Sequence, residues 1–399
     1  MRELKQHVMS GLAPSGARLL YDPISGVAAS DAALASAVPG SALAYYFFRP
    51  SNTPSFNWEV TDGCSWRCAH CFQRTVSVPW EEGVELSGQQ VDRAVELLRT
   101  SGAEEVSLTG GEPMLVRNLS HVLATLREAL PKIRIRVLAS GRRVLARQWT
   151  SATIEAARAV KATVRLPLYG SRAPTHDAIT RTRGSFADVT GLAHALGSAG
   201  VRAIIGIGVF RETASELPAT VELARSLSAE DVAVSSVLYP RKGSAHPAPG
   251  DAPESISASQ LMKLLAWPTT AALATQYVSL EAHCASGCRY PTIDCRGKLH
   301  GCDVVDAVSA SQDSWRDEVN DQPMGCAACE LSSVCRTCLA FAGSGPCEVS
   351  HRSLVATAAY VVGRRAASAQ VHGLRFEDAR AEGLLGPFIP GSEVEVHRV

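Results

Sequence analysis

Residues 56–71 read FNWEVTDGCSWRCAHC and residues 105–113 read EVSLTGGEP. Each stretch begins as a short β-forming run and ends in a turn with chemical potential. The first turn carries Cys64, Cys68 and Cys71, and the second is Gly110-Gly111-Glu112-Pro113. Loops at the C-terminal ends of parallel strands are where α/β proteins place their chemistry. Outward from these two runs the pattern repeats. Strand-like segments are predicted at 56–60, 105–109, 133–139, 162–168, 202–210 and 232–239. Amphipathic helical segments lie between them, among them 88–101, 118–130, 186–199 and 214–227. Six β–α repeats predict an α/β fold with a parallel sheet and right-handed crossovers. Periodicity alone leaves open whether that sheet closes into a barrel.

The rest of the chain is less regular. Residues 17–27 (ARLLYDPISGV) suit a short hairpin, with Asp22-Pro23 and Ser25-Gly26 as turn signals. Residues 241–258 are rich in Pro, Gly, Ser and Ala and read as a linker. The expected organisation is an N-terminal extension over 1–54, an α/β core over 55–245 and a linker with helix over 246–280. A cysteine-rich unit over 281–350 and a C-terminal helix and tail over 351–399 complete it.

Composition narrows the function classes. In 399 residues, Lys+Arg and Asp+Glu are equal at 39 each. No basic stripe points to nucleic acid. No apolar run reaches the roughly 18–20 residues that a membrane span needs, and the N-terminus lacks a secretory apolar region. A cytoplasmic, reducing compartment is expected. There the twelve cysteines read as metal ligands rather than disulfides. Three lie at positions 64–71 and nine between Cys284 and Cys347.

The C-x3-C-x2-C spacing suits a cubane in which three thiolates hold three irons and the fourth iron stays open. A zinc site closed by another ligand, such as His70, is the alternative. The Gly-Gly-Glu turn reduces the zinc reading, because its glycines permit close backbone approach to a ligand. Together the two motifs resemble those of the radical S-adenosylmethionine (SAM) superfamily. The resemblance implies a partial (β/α)6 TIM-like barrel in which Cys64, Cys68 and Cys71 hold a 4Fe–4S cluster. It further implies that SAM binds the open iron through its amino and carboxylate groups, and that one electron cleaves it to a 5′-deoxyadenosyl radical. Carried over residue by residue, SAM contacts fall on His70, Gly110, Gly111, Glu112, Pro113 and Ser140. The run Arg165–Gly170, then His176-Asp177 and Gly184-Ser185-Phe186, is similar to the fourth-strand region of peptide-modifying relatives. Those carry serine where Pro167 stands and arginine where Thr180 stands, so Arg181 or Arg183 is the neighbouring cation for the SAM carboxylate.

The second cysteine group is similar to the SPASM extension, which implies two auxiliary 4Fe–4S clusters, three in all. Cys284, Cys302 and Cys338 with Cys288 or Cys295 would hold the first, Cys288 being favoured. Cys326, Cys329, Cys335 and Cys347 would hold the second. Only two residues separate Cys335 from Cys338, where the family has three. Zinc knuckles are the alternative reading of the C-x2-C pairs. Asp303, directly after Cys302, stands where some relatives place a catalytic base, although a solvated turn aspartate explains it equally.

The resemblance implies a peptide or protein maturase or, alternatively, a small-molecule oxidoreductase. It also implies an electron donor such as flavodoxin or ferredoxin. The N-terminal extension is shorter than a winged-helix leader-binding domain, so peptide delivery would call for a separate leader-binding partner.

Overall fold

The computed structural model describes residues 9–12, 18–22, 27–30, 55–73, 75–79, 82–141, 148–227, 231–235, 253–254, 276–279 and 291–300. In chain order the strands are β1 (Met9–Leu12), β2 (Arg18–Asp22), β3 (Val27–Ser30), β4 (Ser55–Thr61), β5 (Gly63–Cys64), β6 (Val76–Ser77) and β7 (Glu105–Gly110). They continue with β8 (Arg134–Leu138), β9 (Thr163–Leu168), β10 (Arg202–Gly208), β11 (Asp231–Ser235), β12 (Gln276–Ser279), β13 (Thr292–Ile293) and β14 (Leu299–His300). The helices are α1 (Gly88–Thr100), α2 (Leu119–Ala129), α3 (Gln148–Ala159), α4 (Ala173–Thr180), α5 (Ser185–Ser198) and α6 (Leu217–Ser226).

All strands except β5 and β6 join one sheet in the order β1-β2-β3-β12-β11-β10-β9-β8-β7-β4-β13-β14. From β12 through β4 every neighbour is parallel. β4 and β12 are not paired with each other, so among the described residues the parallel array stays open. The predicted hairpin is present as β2 and β3, joined antiparallel, and β3 pairs with β12 at one edge of the parallel array. The β13–β14 hairpin adds to the other edge, next to β4. Segments read from sequence as extension, linker and cysteine-rich unit therefore all lend strands to this sheet.

Alternation along the strands separates two faces. On β9, Val164, Leu166 and Leu168 are buried. Val164 and Val137 line a small internal void with Ile154 and Ala157 of α3 and Leu192 and Leu196 of α5. This is the helix-covered face. Arg134 and Arg136 of β8 and Arg165 of β9 therefore lie on the other, inner face. Helix α1 starts at a reciprocal capping box between Ser87 and Gln90 and buries Val91, Ala94, Val95 and Leu98. The predicted helix over 214–227 begins instead as a 3-10 turn at Ala214–Glu216, with Pro218 in the first turn of α6.

Candidate active site

The cysteine loop leaves β4 at Thr61 and is fixed at its start by two backbone bonds. Gly111 N donates to Thr61 O at 2.7 Å and Glu112 N to Gly63 O at 2.8 Å. A Cβ on Gly111 would lie 2.5 Å from the Gly63 carbonyl carbon and closer still to its oxygen, and Gly110 has φ +109° with the Thr61 carbonyl beneath it. Both glycines thus serve a close approach between two backbones. The space their missing Cβ atoms leave is filled by residues 59–63.

Within the loop, Cys71 N donates to Cys68 O at 3.1 Å, and Trp66 N lies 3.4 Å from Cys64 Sγ. Ala69 N donates to Ile179 O at 2.9 Å, which ties the loop to the end of α4. Burial, then the neighbouring Cys71 and Cys64, hold the Cys68 thiol well above its ordinary pKa. Three thiols that oppose one another's ionisation suit a multivalent cation, which would reverse that penalty. Among the described residues, no three His, Cys, Asp or Glu side chains are arranged around a single metal ion. His70 Nε2 lies 3.0 Å from Tyr169 Oη, so that nitrogen is already engaged. Three thiols suit a cubane, with one thiolate per iron.

Glu112 is fully buried. Its carboxylate accepts from Met114 N at 2.8 Å, from Ser140 N at 2.6 Å and from Ser140 Oγ. Burial pushes its pKa up to about 7, against the lowering effect of the Met114, Ser140 and Gly141 N–H donors. Glu112 therefore joins the ends of β7 and β8, and Pro113 opens the 3-10 turn that it caps.

An aromatic group closes the other side. The His70 ring packs on Tyr169 at 4.7 Å and on Phe210 at 5.3 Å, and Tyr169 packs on His176 at 5.3 Å. Trp66 meets His176 edge-on at 6.0 Å. Burial lowers the pKa of both His70 and His176 to about 4. His70 Nδ1 and His176 Nε2 are buried without hydrogen-bond partners. Asp177, of the His-Asp pair, accepts from Gly184 N at 2.7 Å, Phe186 N at 2.9 Å and Ser185 Oγ at 2.8 Å. It caps α5, so that part of the motif is structural.

The structure thus gathers Cys64, Cys68, Cys71, His70, Gly110, Gly111, Glu112, Pro113 and Ser140 at the C-terminal ends of β4, β7 and β8. Thr180 is fully buried. Arg181 is exposed, in the left-handed C-cap of α4, and Arg183 is exposed beside it. Cys295 lies in the β13–β14 turn, where its carbonyl accepts from Gln90 Nε2 at 2.9 Å. Its thiol is raised by burial, then by Asp62, Asp294 and Glu59, which places it near the end of β4. Cys284, Cys288, Cys302, Asp303, Cys326, Cys329, Cys335, Cys338 and Cys347 lie outside the described residues. Tyr169 and Phe210 were not singled out from sequence. Their position just past the ends of β9 and β10 is the signal that finds them.

Residues 58–224 match the family described as the radical SAM superfamily. GTP 3′,8-cyclase of Yersinia pestis is 32% identical over 102 residues, 24% of this chain and 30% of that protein. Fe-coproporphyrin III synthase of Methanosarcina barkeri is 24% identical over 202 residues, 49% of this chain and 47% of that protein. The chain spans less than half the length of either relative. Among solved structures, Streptococcus suis SuiB superposes with TM-score 0.56 at 13% identity, covering 85% of this chain and 96% of SuiB. The enzyme anSMEcpe with bound AdoMet superposes with TM-score 0.53 at 14% identity, covering 74% and 90%. At such identities the likeness is one of fold. No helix among the described residues is long and apolar enough to cross a membrane.

Proposed function

The chain carries a radical SAM domain over residues 58–224, and from that premise we propose that it cleaves SAM reductively to modify a side chain of a ribosomally made peptide. In this reading Cys64, Cys68 and Cys71 hold a 4Fe–4S cluster. Such a cluster supplies the single electron that splits SAM into methionine and a 5′-deoxyadenosyl radical, which takes a hydrogen atom from substrate. The chain's own residues position the reactants. Glu112 and the Gly110-Gly111 turn fix the cysteine loop against β7, Ser140 stays anchored by Glu112, and the ring of His70 forms one wall. Arg181 or Arg183 would meet the SAM carboxylate.

One observation carries the proposal: the backbone interlock that sets the three-thiol loop directly on the Gly-Gly-Glu turn. The peptide reading is supported by SuiB, one structure of which holds its precursor peptide SuiA, and by anSMEcpe with a bound peptide. The sheet is then a partial barrel, and residues 281–350 form a SPASM-type unit with two auxiliary 4Fe–4S clusters on the cysteines assigned above. Asp303 would act there as base. An electron donor such as flavodoxin or ferredoxin, and a leader-binding partner, would complete the system.

The curated relatives, named for a nucleotide and a porphyrin product, favour small-molecule chemistry as a second reading. To separate the two, reduced cluster-loaded protein is incubated with deuterated candidate substrates. Deuterium in 5′-deoxyadenosine from a peptide supports the first reading, and from a metabolite the second. No 5′-deoxyadenosine from the fully iron-loaded chain would defeat both.

A further inference from the structure

We propose that Arg165 is an anion-binding point on the inner face of the sheet and takes a carboxylate of the molecule being modified. The proposal rests on the radical SAM reading above. Arg165 stands on the face of β9 opposite the buried Val164, Leu166 and Leu168. Tyr169, four residues on, continues that face and touches His70 of the cysteine loop.

Two glycines of β10 seat these two side chains. A Cβ on Gly206 would lie 2.8 Å from Arg165 Nε and 3.1 Å from its Nη2, and a Cβ on Gly208 would lie 2.8 Å from the Tyr169 ring. The guanidinium therefore lies low across the sheet where any larger residue would displace it. Burial, then the thiols of Cys68 and Cys71, hold the Tyr169 phenol well above its ordinary pKa, and the charge of Arg165 opposes that rise. The cation is thus electrostatically close to the candidate active site.

Arg165 is unlike the other arginines on this face. Arg134 and Arg136 share Glu105 at 2.8 and 3.2 Å. Among the described residues, the Arg165 guanidinium has neither hydrogen bond nor ion pair, and only the backbone of that residue is bonded. A half-buried guanidinium without a counter-ion is costly, and its planar fork matches a carboxylate through two parallel bonds. In the radical SAM reading the carboxylate of SAM is engaged at the cluster, near the strand ends. The Arg165 guanidinium lies over Gly206, level with Pro167 and so about 7 Å short of Tyr169 along the strand. A carboxylate on the substrate, from an acidic peptide residue or from a small organic acid, is the group left to meet it.

The test compares wild-type, Arg165→Met and Arg165→Lys as full-length, cluster-loaded, SAM-bound protein. Saturation-transfer NMR reads binding of glutarate, of a capped Gly-Glu-Gly peptide and of its Gly-Gln-Gly counterpart. Wild type should prefer an acidic probe over the neutral peptide by about tenfold or more, the worth of a charged hydrogen-bonded pair. Met should abolish that preference and Lys should keep part of it, with iron content and thermal midpoint matching wild type. Preference for the peptide identifies a peptide acid, and preference for glutarate a small one. The proposal is overturned if Met binds the acidic probes as wild type does, or if it weakens SAM as much as it weakens them. Failure of wild type to bind SAM at all would instead strike the radical SAM reading.

Discussion

Gly111→Ala tests the interlock under the cysteine loop. The added methyl would meet the carbonyl group of Gly63 and the carbonyl carbon of Asp62, all backbone, with no flexible side chain to give way. Overpacking of that kind costs about 1–3 kcal/mol. Relief requires moving Gly63 away from the turn, which stretches the bonds from Gly111 N to Thr61 O and from Glu112 N to Gly63 O. Each is worth about 0.5–1.5 kcal/mol, so a total near 3 kcal/mol is expected, a large share of a domain's net stability. Urea denaturation of the cluster-free chain measures the loss, and iron content after reconstitution measures the damage to the loop. Gly88→Ala is the control, since no atom lies within 4 Å of its added methyl. It should change stability by less than about 1 kcal/mol. A Gly111→Ala protein with the wild-type midpoint and full iron would refute the interlock.

Other outcomes follow from the buried ionisable groups. Glu112 has a folded pKa near 7, against an ordinary 4.5, so the unfolded chain releases its proton first. Its contribution to stability is intact below pH 4.5 and falls by about 3 kcal/mol as pH rises to 7. In the cluster-free chain, Glu112→Gln should remove that decline, seen as a difference from wild type in urea midpoints between pH 5 and 7.5. His176, fully buried with its pKa lowered to about 4, acts in the opposite sense. Stability present above pH 6.5 is lost by about 3 kcal/mol as pH falls to 4, and His176→Phe should blunt that acid loss. Glu216 accepts from Ser171 N at 3.1 Å, Ser171 Oγ at 3.0 Å, Thr175 Oγ1 at 2.5 Å and Arg172 Nη2 at 2.5 Å. Glu216→Ala should cost about 1–3 kcal/mol, read as a lower thermal midpoint. Alanine at Cys64, Cys68 or Cys71 should remove about four irons per chain and all SAM cleavage, while Cys295→Ala should retain both.

The parallel core was legible because its strands and helices obey local rules. Alternation on β8 and β9 places Ile135, Val137, Val164 and Leu166 under helices, and period-two patterning states that directly. The two motif turns were legible because each directly follows a strand. Other features depend on contacts distant in sequence. That β13 joins β4 rests on pairing across more than 230 residues of chain, which no local pattern encodes. The packing role of Gly110 and Gly111 was not legible, because sequence shows a need for small residues without showing what presses against them. Tyr169 and Phe210 gain a place in the site only because the fold sets them against His70. Arg165 acquires meaning only from Gly206, on the neighbouring strand.

The most direct measurement is anaerobic incubation of the reconstituted, dithionite-reduced chain with SAM, followed by chromatography of the nucleoside products. The account predicts 5′-deoxyadenosine and methionine in equal amounts, abolished by alanine at any of Cys64, Cys68 or Cys71. Intact SAM after incubation with a chain carrying its full complement of iron would contradict it.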